Sequence, residues 1–374
     1  MSNPGSSFLS FGGATGLRSS SQADFVQGRA SEVFIFGGMD GAGETTEYLE
    51  QDPGTAETVR LARNAEKERK DGRPVLPVII SYTVNFSCGD SHNKLENNQA
   101  LAHGFGNLIL SLQVAEEGRD AENSTPATYV VNPDFLSICE AENLGPDYVL
   151  PVRMPLQEAL DFRGVPAQIP DSITDDLRGY VLAVNWLVRT VAPAVSFGWS
   201  VSPQATKDAK SVYDADAKAS TEAASQVVNY VKSFGVFDSY SPDFLAVDRY
   251  EADDFTARSY VNSYSDGPSE SGKFSDFANT LGTDLSVPVM LWDITGSRIP
   301  SINDNVEGQS DSQHWGTGGS YILGDSNIGS KIPNLEPHSL SFLERGVFTV
   351  LLGKGTTTGI EPGVSQPEPW VSDK

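Results

Sequence analysis

Cysteine and histidine are scarce in this chain, and their scarcity removes one class of site. The 374 residues include 2 cysteines and 4 histidines, and neither a CxxC pair nor an HExxH sequence occurs. Zinc sites are built from these ligands at such spacings, so a zinc site is not expected. Cys88 and Cys139 could form one disulfide, but the sequence does not show whether their Cα atoms approach closely enough.

Positive charge is also in short supply. The chain has 26 Lys and Arg against 50 Asp and Glu, which gives a formal net charge of -24 at pH 7. Such a field repels polyanions, so neither nucleic acid nor an anionic membrane is expected as a partner. The simplest interpretation of the acidity is a solvated surface that keeps the protein soluble. The functional interpretation is that some of the carboxylates converge in a cleft.

Long apolar runs are missing as well, and no segment reaches the length of a membrane span. The first residues lack the basic and apolar regions of a recognisable signal peptide, which leaves open an extracellular protein with a processed or truncated N-terminus. We expect three parts: a flexible Ser- and Gly-rich lead-in (residues 1–28), one catalytic domain (29–360) and a flexible Pro-containing tail (361–374). The sequence does not indicate an oligomeric state.

Eight short apolar segments, each stopped by polar or glycine residues, are interpreted as strands. Few of them alternate polar and apolar residues, which is typical of parallel strands covered on both faces. Helical periodicity separates several of them, in segments from Asn97, Asp175, Asp214 and Ser271. This order predicts an α/β fold of the (β/α)8 TIM-barrel type, with an open doubly wound sheet as the alternative. The strand segments are VFIFGG (from residue 33), LPVIISYT (76), ATYVVN (127), AVSFGWS (194), DFLAVD (243), VPVMLWD (287), GSYILGD (319) and GVFTVLLG (346).

Polar and aromatic residues collect where these segments end, which is the active-site face of such a barrel. Asp248 and Asp293 each continue an apolar strand directly, on the expected fifth and sixth strands, so both should lie over one mouth. An acid after a strand is often only a helix cap, and an aromatic residue is often only core. The further candidates for substrate binding are Asp40, Tyr82, Asn85, Asn132, Asp134, Trp199, Tyr250, Trp292, Trp315 and Asp325.

Aromatic rings beside several carboxylates suggest a sugar as the substrate, because flat apolar sugar faces stack on rings while acids bind hydroxyl groups. Glycoside hydrolysis needs a proton donor and a second carboxylate across the scissile bond. We assign Glu251 as the acid and Asp293 as its partner, with Asp248 orienting the pair or replacing one of them. Arg249 is expected to point outward without a role. This scheme requires no cofactor and no metal.

Tryptophan provides a separate expectation about binding. Trp199 and Trp292 should stack on the bound sugar, each contributing on the order of 1 kcal/mol or more. On that basis, replacing Trp292 by alanine should weaken sugar binding and leave the melting temperature nearly unchanged.

The segments FLAVDRYE and VMLWDITG, together with the eight-strand layout, resemble TIM-barrel glycoside hydrolases over roughly residues 30–360. The resemblance implies hydrolysis of an oligo- or polysaccharide. The largest clan of these enzymes has an Asn-Glu pair after strand four and a Glu after strand seven. Here the corresponding segments FGWSVS and LGDSN carry no Glu, so the catalytic carboxylates are expected on strands five and six instead.

Two other functions remain open from the sequence. The segments LGDSNIGSK and LGKGTTTG are rich in glycine, and phosphate-binding barrels hold their anion at the loops after strands seven and eight. Lys354 and the run Thr356–Thr358 could then bind the phosphate group of a lyase or aldolase substrate. The acidic rim and the net charge argue against this class. A non-catalytic carbohydrate-binding barrel is the third possibility.

Overall fold

The chain forms a closed barrel of eight parallel strands, each hydrogen-bonded to the next in chain order, with the last strand paired to the first. A computed structural model describes residues 9–15, 22–38, 46–86, 90–203, 212, 217–249, 268–295 and 346–353. The strands are β1 (Ser10–Ala14), β2 (Glu32–Phe36), β3 (Leu76–Ser81), β4 (Thr128–Val131), β5 (Ser196–Val201), β6 (Phe244–Asp248), β7 (Val289–Thr295) and β8 (Val347–Gly353). The predicted TIM-barrel fold is confirmed.

Helices lie between the strands and cover the outside of the barrel. Asn97 and Asp176 accept a backbone N–H bond at the starts of two long helices, which satisfies donors that an uncapped helix leaves unpaired. None of the helices in the described part of the chain is long and apolar enough to cross a membrane. The helices are α1 (Gln22–Gln27), α2 (Pro53–Arg69), α3 (Ser91–Leu95), α4 (Asn98–Glu117), α5 (Phe135–Ala141), α6 (Arg153–Arg163), α7 (Leu177–Val191), α8 (Ala217–Ser233) and α9 (Pro268–Leu285).

Seven of the eight predicted strand segments are strands β2 to β8, so the expected fifth and sixth strands are β6 and β7. The remaining segment, GSYILGD, lies outside the described residues, as does the predicted tail from residue 361. The lead-in prediction for residues 1–28 was wrong in part. Ser10–Ala14 is the first strand of the barrel, paired with both β2 and β8, and α1 follows it.

Gly12 in strand β1 has no room for a side chain, because its neighbours fill the space that one would occupy. A Cβ atom built on Gly12 would lie 2.7 Å from the Cβ of Glu32 and 2.8 Å from Cδ2 of Leu351. The buried Glu32 carboxylate accepts a hydrogen bond from Thr349 Oγ1 at 2.7 Å, so it links β2 to β8 beneath the first strand. Glycine at position 12 is therefore a packing requirement of the barrel interior.

Alternate residues of each strand belong to two different apolar layers. One layer lies between the strands and the helices and includes Ile79, Tyr129, Leu245 and Leu291. The other layer fills the barrel interior and contains Phe34, Ile80, Val130, Phe244, Ala246, Met290, Trp292 and Leu351. Because side chains of a strand alternate between its faces, this division shows which residue of each strand faces the barrel axis.

Gly12→Ala is expected to destabilise the protein by about 1–3 kcal/mol, because the added methyl group overpacks the interior between β2 and β8. Gly145→Ala is a suitable control, since a Cβ atom at Gly145 has nothing within 4 Å. Urea unfolding of both variants measures the difference. Equal stability of the two would contradict the placement of β1 in the barrel.

Candidate active site

Asp248 lies at the carboxyl end of β6 and on its interior side. The residues two and four positions before it, Ala246 and Phe244, both belong to the interior layer, and Asp248 itself is 8% exposed. The next residue, Arg249, is buried on the other side of the strand. Its guanidinium carbon lies 5.7 Å from the ring centroid of Phe274 in α9. The outward direction expected for Arg249 is confirmed, and the cation packs into the helical layer.

Trp292 forms the floor of the barrel mouth. Its indole N–H donates to Ser200 Oγ of β5 at 3.0 Å, so the ring reaches across the intervening strand β6. On the opposite wall its centroid lies 6.5 Å from that of Phe34 and 6.3 Å from that of Phe36. With Trp292 only 2% exposed, this ring closes the interior below the strand ends.

Tyr82 and Phe36 continue this aromatic surface toward the solvent. Their rings stack with centroids 6.3 Å apart and planes 11° apart, and both residues are half-buried. Tyr82 was predicted from the sequence, and the structure places it beside the interior layer. Phe36 was missed, although it is the last interior residue of the first predicted strand. Two accessible rings therefore lie beside the buried floor.

Asp293 reaches the interior side through a bulge in β7. Leu291 pairs with Val350 and Ile294 with Leu352, so β7 has one more residue than β8 between these two pairs. Asp293 has a left-handed backbone with φ of 51°. Leu291 and Ile294 both face the helical layer, so Trp292 and Asp293 together occupy the turn between them. Bulges of this kind redirect a side chain next to active sites.

Asn132, another predicted binding residue, has a structural role here. It is fully buried, and its Oδ1 accepts from Thr83 N at 2.7 Å and from Thr83 Oγ1 at 3.0 Å. The hydroxyl group of Thr83 also contacts that of Tyr180 in α7. Burial raises the pKa of Tyr180, which keeps its hydroxyl protonated. The amide oxygen thus joins the segments after β3 and β4, and a contact between Asn132 and substrate stays a prediction.

Asp134 has a conformation unlike that of an ordinary helix cap. It precedes α5 with φ of 67° and makes no side-chain capping hydrogen bond. The residue is half-exposed at the carboxyl end of β4. Non-glycine residues in left-handed conformations are costly and are concentrated at functional sites. A contact between Asp134 and substrate stays a prediction.

Trp199 was expected at the mouth, and the structure corrects this. Its side chain is fully buried in the layer between strands and helices, where its indole N–H donates to Asn185 Oδ1 at 2.7 Å. The residues of β5 that face the barrel interior are the two neighbours of Trp199, Gly198 and Ser200. Asn85 is half-buried after β3, and its carbonyl oxygen accepts from the ammonium group of Lys94.

The remaining predicted residues lie outside the described part of the chain. They are Asp40, Tyr250, Glu251, Trp315 and Asp325. Within the ranges that the structure describes, no group of three His, Cys, Asp or Glu side chains could hold a metal ion. Cys139 in α5 is a buried free thiol, and Cys88 is not among the described residues.

Comparisons with known proteins identify no family for this chain. No protein-family model matches the chain, and a comparison with curated proteins finds no match. Among solved structures, a GH18 chitinase from Pseudoalteromonas aurantia is similar, with 10% identity, a TM-score of 0.40 and 97% of each chain covered. The carboxyl transferase domain of Rhizobium etli pyruvate carboxylase is similar too, with 10% identity and a TM-score of 0.39. The match covers 99% of this chain and 45% of that one, so this chain spans less than half of its length. Similarity this weak has no bearing on activity.

Trp292→Ala is expected to lower the free energy of unfolding by about 3–5 kcal/mol, because it empties the space that the indole fills. This replaces the expectation of unchanged stability. Trp292→Phe keeps an apolar ring and loses the bond to Ser200, so its cost should be clearly smaller. Thermal unfolding of both variants provides the measurement, and an unchanged melting temperature for the alanine variant would show that the ring does not close the barrel interior.

Proposed function

We propose that the protein is a glycoside hydrolase that cleaves an oligo- or polysaccharide at the carboxyl end of its barrel. The observation that supports this most directly is the placement of two aspartates, Asp248 and Asp293, on the interior side of neighbouring strands. Asp248 is the register partner of Trp292, and Asp293 is the next residue. The two carboxyl groups therefore belong to one small region of the rim.

The spacing suits the chemistry. Neighbouring strands lie about 4.8 Å apart, and glycosidases hold their two carboxyl groups about 5–9.5 Å apart across the scissile bond. The shorter separations accompany retention of the anomeric configuration, and the longer ones accompany inversion. Backbones at this spacing allow the side chains of two acids on adjacent strand ends to hold their carboxyl groups at such a separation.

The aromatic surface supports a sugar as the substrate. Tyr82 and Phe36 are half-buried, and their stacked rings lie beside the Trp292 floor. The apolar face of a pyranose ring packs well on such side chains, while carboxylates accept bonds from its hydroxyl groups. A cleft with both features binds carbohydrate better than it binds a purely apolar or a strongly anionic ligand.

We assign a catalytic role to each acid from its position along the chain. In our scheme, Asp293 is the nucleophile or the base that activates water, Glu251 is its partner, and Asp248 orients this pair or replaces one of the two. Glu251, three residues after Asp248, donates the proton to the leaving oxygen because its longer side chain has the greater reach. Arg249 stays outside this scheme, since its guanidinium group packs on Phe274.

A phosphate-binding lyase or aldolase remains the alternative, together with a non-catalytic carbohydrate-binding barrel. Lys354 and Thr356–Thr358, on which the phosphate alternative depends, lie outside the described residues. The net charge of -24 disfavours an anionic substrate. Release of sugar from a panel of glycans by the purified protein separates the three functions, because binding without release indicates a lectin-like barrel.

Asp248→Asn and Asp293→Asn should each lower turnover on a cleaved glycan by about a hundredfold or more, since an amide cannot exchange the proton or attack. Both variants should remain folded because the substitution is nearly isosteric. Asp284→Asn is the control, as Asp284 is exposed on α9. Steady-state kinetics give the result. Wild-type turnover in both mouth variants would reduce these aspartates to a structural role.

A further inference from the structure

Gly353, the last residue of β8, lies in direct contact with Asp293. A Cβ atom built on Gly353 would be 2.2 Å from Asp293 Oδ1, 3.1 Å from its Cγ and 3.2 Å from its carbonyl carbon. No side chain fits in that space while the carboxylate occupies it. The carboxylate of Asp293 therefore packs directly against the backbone of Gly353 in the neighbouring strand β8.

At this point, positions on both β7 and β8 face the barrel interior. Leu351 belongs to the interior layer and Leu352 to the helical layer, so the missing side chain of Gly353 would face the barrel interior. The bulge in β7 brings Asp293 to that side. A regular β7 would send Asp293 to the helical layer, since Trp292 already faces inward.

The backbone conformation at position 353 does not require glycine. Glycines in the left-handed region, such as Gly346 with φ of 76°, are disfavoured sites for any side chain. Gly353 is not among the glycines with positive φ. What excludes a side chain there is the Asp293 carboxylate.

We infer that Gly353 is a positioning residue for Asp293: by leaving its side-chain space empty, it lets the bulged strand hold that carboxylate over the barrel mouth. This inference deepens the proposed function and rests on it for its catalytic consequence. The contact between the two residues has a physical consequence in any case, because a methyl group at position 353 must displace the carboxylate or the strand end.

Gly353→Ala should therefore lower kcat by about tenfold or more and leave KM within about twofold, since misplacing a reacting group by about 1 Å can cost up to a hundredfold in rate. Its pH profile should shift, because the carboxylate enters a different environment. Gly346→Ala, at the opposite end of β8, is the control. It adds backbone strain and should lose stability while it keeps the wild-type kcat and pH profile.

A double-substitution cycle tests whether Gly353 acts through Asp293. In an Asp293→Asn background, adding Gly353→Ala should change kcat by less than about twofold, because the group that the methyl displaces no longer reacts. An equal loss of kcat in both backgrounds would overturn the inference, and so would wild-type kcat and pH profile in Gly353→Ala.

A titration that needs no activity separates this inference from the proposed function. Carbon-13 NMR of aspartate carboxyl groups follows Asp293, which is assigned by its absence in Asp293→Asn. A midpoint that differs between wild type and Gly353→Ala, and not between wild type and Gly346→Ala, supports the positioning role. Identical midpoints in all three proteins overturn it. If the wild type cleaves no glycan, the proposed function fails while this titration still decides the inference.

Discussion

Closure of the sheet by the pairing of β1 with β8 is the constraint on which the rest of this molecule depends. Parallel strands in a closed ring have no exposed edge, and all of their carboxyl ends meet at one rim. Residues far apart in the chain, such as Tyr82 and Asp293, become neighbours of one mouth only through this closure. The loss of any one strand would open the ring and separate the two walls on which the Trp292 floor rests.

The filled interior of the ring limits what each strand can place there. Large residues need small ones beside them: Gly12 leaves room for Glu32, and Gly198 leaves room for Phe244, whose ring carbons would lie 2.4 Å from an added Cβ. Trp292 likewise reaches Ser200 across a strand that carries only Ala246 at that level. The packed interior side chains therefore leave little free volume for an acid at the rim. The bulge in β7 is one way to place the carboxyl group of Asp293 there.

The fold could be predicted from the sequence because continuous apolar runs alternate with helical periodicity, and seven of these runs are strands. The first strand could not, since glycine and serine hide its β character. The same continuous runs explain the error at Trp199: when both faces of a strand are covered, the apolar pattern does not mark the inner one. The hydrogen bonds from Thr83 to Asn132 Oδ1 could not be predicted, because they join positions 49 residues apart in the sequence. The inward direction of Asp293 depends on a bulge that no sequence pattern indicated.

The pairing of β1 with β8 also has a consequence for the rate of folding. Ser10 of β1 is the register partner of Thr349 of β8, 339 positions away in the sequence. The entropy of closing so long a loop must be offset before this pairing stabilises anything, so contacts of this kind form late and slow the folding of a domain. During synthesis the first strand leaves the ribosome long before its second partner exists. Until β8 arrives, one edge of β1 is an open template for another chain, and its short, glycine-rich sequence makes it a poor one.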